Sequence, residues 1–95
     1  MKLFKRARGS ISYKTEMEFN DLIGTTGQTC VGEWGYKLVD SADHSTQYII
    51  LYGKGKDRLG VEIERWEKKF QISYNGKRAH KDAIKLASIL GGERV

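Results

Sequence analysis

The 95-residue chain is long enough for one domain with a modest core, and no more. Its 39% hydrophobic and 31% charged residues argue against a disordered chain, its single cysteine excludes an intrachain disulfide framework, and no apolar run approaches the about 18 residues of a membrane-spanning helix. The formal net charge of +5 favours anionic partners through long-range attraction, without determining the fold.

Charge is unevenly spread. Residues 1–10 hold four bases and no acid, residues 11–50 hold two bases against six acids, and residues 51–95 hold eleven bases against six. An electrostatic surface must therefore come from the start of the chain and its second half. Residues 1–9, with Lys2, Lys5, Arg6 and Arg8, read as a flexible basic arm ahead of one α+β domain over residues 10–95. The arm is not followed by the apolar stretch of a secretion signal, which with the lone Cys30 leads to the expectation of a cytoplasmic protein.

From Ile11 the residues alternate: Ile11, Tyr13, Thr15, Met17 and Phe19 fall on one side, with Ser12, Lys14, Glu16 and Glu18 on the other. Period two predicts a half-buried strand over residues 11–19. A competing reading takes Thr15 and Glu18 as a capping box and Phe19, Leu22 and Ile23 as the start of a short helix. Residues 23–35 carry four glycines and three threonines and predict an irregular crossing anchored by Trp34. "YKLVDS" reads as a short strand and "SADHS" as a turn. "TQYIILYG", apolar on both faces and rich in β-branched and aromatic residues, reads as a central strand. "GKGKDRLG" is a polar turn. "LGVEIERW" and "KKFQISYNGKR" alternate again and predict a hairpin closed at residues 66–69. After "NGKR" the period changes. Ala79, Ala83, Leu86, Ala87 and Leu90 recur at three and four, widened by Ile84 and Ile89, and Gly91-Gly92 stops a helix over residues 79–90. The predicted architecture is α+β, with about five mainly antiparallel strands and one C-terminal helix packed on one sheet face.

Catalytic and metal chemistries find little support. His44, His80 and Cys30 are scattered, and Asp40, Asp43 and His44 are explained by a polar turn, so neither metal nor cofactor is expected. Cys30 has no histidine near it and reads as a small buried residue. Asp57 followed by Glu67-Lys68-Lys69 has the order of metal-dependent restriction-type nucleases, but in a loose pattern that chance supplies often in so charged a chain. "GKGKD" lacks the spacing of a phosphate-binding loop. The expectation is a non-enzymatic protein.

Binding remains. Lys2, Lys5, Arg6 and Arg8 can track phosphates; Lys54, Lys56 and Arg58 share a turn; Lys77, Arg78 and Lys81 share a strand–helix junction. If Ile49 and Leu51 face the helix, Tyr48 and Tyr52 face outward as a stacking platform for bases, unless the 23–35 crossing and Trp34 cover them. "YKLVDSADHS" resembles the first-strand segment of double-stranded-RNA-binding domains, and "AHKDAIKLASIL" falls where their last helix would, though two strands and a turn beyond that pattern separate them. "LGVEIERWEKKFQISYNGKR" followed by a helix is similar to the DNA-reading sheets of phage integrase arm domains, with one strand absent. Neither covers the whole chain. The leading expectation is a small protein that binds DNA or RNA. The alternative is a phage or mobile-element type interaction or inhibitor protein with an acidic protein partner. A homodimer through the exposed sheet fits either.

Overall fold

A computed structural model describes residues 8–29, 34–53 and 55–95. The elements run β1 (Arg8–Lys14), α1 (Phe19–Thr29), β2 (Gly35–Asp40), β3 (Thr46–Tyr52), β4 (Arg58–Glu64), β5 (Lys69–Asn75), α2 (Lys77–Ile89) and β6 (Glu93–Arg94). The strands form one sheet in the order β2-β3-β4-β5-β1-β6, with every neighbouring pair antiparallel. This is the expected α+β architecture with an additional helix and a two-residue sixth strand. Among the described residues no helix is long and apolar enough to cross a membrane.

Alternation builds the core. Ile49 and Leu51 of β3, Leu59, Val61 and Ile63 of β4, and Phe70 and Ile72 of β5 all point to one side and are buried. Helix α2 lays Ala79, Ala83, Leu86, Ala87 and Leu90 onto that side, and α1 adds Leu22 and Thr26. The alanines have almost no side chain to keep α2 away from the sheet. Ile84 and Ile89 do not widen the buried stripe as expected: both are exposed on the far flank of α2. The helix stops as its glycines predict. Gly91 adopts φ 67, its N–H bonds Ser88 O at 3.1 Å, and the Gly92 N–H bonds Ala87 O at 2.9 Å. These are the two bonds of a Schellman cap.

The start of the chain departs from expectation in three ways. Strand β1 begins at Arg8, inside the segment read as an arm, and residues 1–7 of that segment lie outside the described residues. The strand ends at Lys14 rather than Phe19, although the alternation continues. Thr15 leaves the sheet because its hydroxyl donates to Leu90 O at 2.9 Å and accepts the Met17 N–H at 3.0 Å, making a local turn. Residues 19–29 are helix, beginning at Phe19 as in the competing reading, so the first part of the crossing expected over residues 23–35 is helical as far as Thr29. Leu22 and Thr26 share its buried face, and the Thr26 hydroxyl donates back to Leu22 O at 2.7 Å. Gly27 lets the Tyr36 ring come close, with a Cβ there only 3.0 Å from it.

Trp34 anchors the return to the sheet, as expected. It is 1% exposed, and its indole N–H donates to Asp82 Oδ2 on α2 at 2.7 Å. Its ring therefore belongs to the helix side, and the opposite face of the sheet is not covered by it.

Candidate nucleic-acid interface

One end of the sheet gathers the basic residues. At the end of β5, Gly76 takes φ 120 and passes directly into α2, with no capping side chain of its own. The cap comes from the β3–β4 turn instead. The Asp57 carboxylate accepts the Ala79 N–H at 3.0 Å, satisfying a donor that the first turn of a helix otherwise leaves open. A Cβ on Gly76 would overlap that carboxylate, so glycine is needed for space as well as for φ. The turn bearing Lys56 and Arg58 is thereby fixed against the junction bearing Lys77, Arg78 and Lys81.

Strand register brings Arg8 to the same end. Arg8 of β1 and Arg58 of β4 both lie opposite Asn75 of β5, so the two arginines flank it on one face, about 10 Å apart. The Arg58 guanidinium donates to Gly55 O at 3.0 Å and to Asp57 O at 2.9 Å, bracing its own turn. The Asn75 Oδ1 is buried and has no hydrogen-bond partner among the described residues. Arg8, Lys56, Arg58, Lys77, Arg78 and Lys81 are all exposed. Arg8 and Arg58 stand on the open sheet face, and the α2 residues stand on the helix side of the same end. Lys2, Lys5, Arg6 and Lys54 lie outside the described residues.

The open face begins beside this row. Tyr48, Ile50 and Tyr52 alternate outward on β3, as expected from the burial of Ile49 and Leu51. Tyr52 is 56% exposed, and its ring lies over Gly35, where a Cβ would approach within 2.7 Å. Tyr48 is half-buried. Tyr52 stands across from Arg58, one step beyond the Leu51–Leu59 pair. Next to that row, Ile50, Gly60 and Ser73 form the floor of a shallow open groove that reaches Arg58 and Asn75. Small side chains in register across β4 and β5 create it. The arrangement offers exposed aromatic surface, a hollow and cations within one short reach.

The other end of the strands is different. Asp40, Asp43, Glu64 and Glu67 lie there, with Arg65, Lys68 and Lys69 interleaved. Asp43 Oδ1 accepts from the Ser45 hydroxyl at 2.7 Å, the Ser41 hydroxyl at 2.8 Å and the Ser45 N–H at 3.1 Å. The Ser45 and then the Ser41 hydroxyl bonds lower its pKa to about 2. A turn that satisfies its own carboxylate accounts for the "DSADH" cluster. His44 sits 3.5 Å from Asp40, while His80 of α2 stacks on Tyr74 of β5 with ring centroids 4.6 Å apart. No group of three or more metal-binding side chains occurs among the described residues. The nuclease-like set is taken apart by β4: Asp57 precedes the strand and Glu67 follows it, roughly 20 Å away, so they cannot share an ion. Cys30 lies outside the described residues.

Sequence reasoning missed Asp57 as the joint between two basic clusters, and Asn75 between two arginines. The signal for the first was present in Gly76, a glycine between strand and helix without a capping side chain. No family model matches the chain, and neither a curated protein nor a solved structure matches it significantly, so the two segmental resemblances stay confined to the residues that carry them.

Proposed function

We propose that this protein binds nucleic acid, using its basic end for phosphates and the adjoining open face for bases. The observation that carries the reading is the joining of basic clusters distant in sequence by the Asp57–Ala79 bond and the Arg8–Asn75–Arg58 row. Among the described residues, Asp57, which accepts the Ala79 N–H, and the buried Asp82, which accepts the Trp34 indole N–H, stand against six exposed cations. The cations keep a local excess that a polyanion neutralises with release of counterions. Tyr52 beside Arg58 supplies the aromatic surface on which an unpaired base stacks. Its exposure favours a single strand, whose bases are free to leave their neighbours.

The test is fluorescence anisotropy with labelled single-stranded and duplex DNA and RNA at low and rising salt. Binding that weakens steeply with salt and is strongest for a single-stranded probe is expected. No binding to any probe at low salt would overturn the proposal. The alternative, an inhibitor-like protein holding an acidic protein partner, is distinguished by affinity capture: it requires one stoichiometric partner that persists after nuclease treatment.

A further inference from the structure

We infer that β2 is the contact edge of a homodimer, in which two copies join their sheets by antiparallel β2–β2 pairing. Among the described residues no strand lies beyond β2, and Tyr36, Leu38 and Val39 on it are exposed, with Leu38 at 46%. An apolar strand with an open edge is a surface that proteins ordinarily cover or blunt. The opposite edge is blunted by the two-residue β6, and β2 bears only one lysine, Lys37.

The backbone fixes which groups of β2 face outward. The Ser41 N–H donates to Thr46 O at 2.9 Å, and hydrogen-bonded pairs alternate along an antiparallel ladder. Lys37 and Val39 therefore bond β3, while Tyr36, Leu38 and Asp40 direct their N–H and C=O groups away from it. A two-fold axis perpendicular to the sheet through Leu38 uses all of these groups. Leu38 pairs with Leu38 of the second copy, and Tyr36 pairs with Asp40 in both directions, for about six backbone hydrogen bonds. The same axis keeps each open face on one side and places Lys37 across from Val39 of the second copy.

Charge selects a second copy as the occupant. Each sheet is basic at the Lys56–Arg58 end and carries Asp40 and Asp43 at the other. Antiparallel pairing sets the acidic corner of one copy beside the basic end of the other. A six-residue edge gives an interface smaller than the about 1,200 Å² of stable complexes, so dissociation is expected in the micromolar range.

Sedimentation equilibrium of the full chain from about 1 to about 500 µM tests this. The mass is expected to rise from 10.8 kDa towards twice that value. Leu38→Lys, which sets two like charges against each other across the axis, should hold the monomer mass throughout with an unchanged circular dichroism spectrum. In a Cys30→Ser background, Leu38→Cys should oxidise to a covalent dimer, since bonded antiparallel pairs have Cα atoms about 5.5 Å apart, within disulfide reach. Lys37→Cys should not. A wild-type mass of 10.8 kDa over the whole range overturns the inference, as does a dimer that survives Leu38→Lys or cross-links equally through both cysteines. Should Leu38→Lys misfold, the two cysteine variants decide alone. The inference does not depend on nucleic-acid binding.

Discussion

At the scale of single residues, a few polar groups decide more than their number suggests. Asp57 satisfies an orphan helix donor from 22 residues away in sequence. Removing such a cap costs about 1 kcal/mol, so Asp57→Ala should lower Tm by roughly 4–8 °C, while Asp57→Asn keeps an acceptor and most of the stability. Gly76→Ala should cost more, because it adds strain at φ 120 to displacement of the same carboxylate; thermal unfolding of the three variants gives the order. Trp34 and Asp82 form the second such pair. With Asp82 only 6% exposed, Trp34→Phe leaves its carboxyl group buried without the indole donor and should cost about 2–3 kcal/mol in urea unfolding. Adding Asp82→Leu should restore part of that loss, since replacing both partners removes the unsatisfied group. Asp43 is a local switch of acid strength. Its pKa is depressed, so the turn's contribution is complete above the ordinary value of 3.8 and fades as pH falls through about 2. Carboxyl NMR titration should find that low midpoint, and Ser45→Ala should raise it towards 3.8.

At the scale of elements, legibility followed the period of the side chains. Strands β4 and β5 and helix α2 have one strong period each, β3 is a short run of β-branched and aromatic residues, and all four were readable with their turns. Strand β1 was readable from Ile11, but the segment from Thr15 to Thr29 was left between strand and helix, for two physical reasons. Thr15, Met17 and Phe19 extend the alternation of β1 after the backbone has left the sheet: Thr15 is buried against the end of α2, and Phe19 lies beneath the Arg65 guanidinium at 4.3 Å. Then α1 forms from a composition poor in helix formers, because tertiary packing of Leu22 and Thr26 outweighs intrinsic propensity. That imbalance is measurable. Gly24 has open space around its Cβ position, so Gly24→Ala should stabilise the protein by about 0.5–1 kcal/mol. Gly27→Ala has the same propensity benefit but meets the Tyr36 ring at 3.0 Å, so its gain in Tm should be smaller or absent.

At the scale of the whole molecule, the basic clusters were legible because each is local in sequence, but the meeting of Arg8 with the β3–β4 turn and the β5–α2 junction was not. It depends on strand register and on one contact between a turn and a helix terminus, neither of which a periodic pattern encodes. The result is a molecule polarised along its strands, and this polarity separates the proposed binding mode from attraction to net charge alone. Two double variants remove the same formal charge from opposite ends: Lys77→Gln with Arg78→Gln at the basic end, and Lys68→Gln with Lys69→Gln at the other. If binding only follows net charge, both weaken it alike. If phosphates sit at the basic end, the first pair should reduce the magnitude of the slope of log K against log salt by about 1.4 for a single strand, at about 0.7 per lost contact, and the second should leave it near the wild-type value. Tyr52→Ala completes the set. Loss of stacking should weaken single-strand binding by about 1–3 kcal/mol with no change in slope, because the ring neutralises no phosphate. Equal slopes for the two double variants would place the contacts elsewhere, whereas an unchanged affinity for Tyr52→Ala would leave phosphate binding intact and remove the open face from the interface.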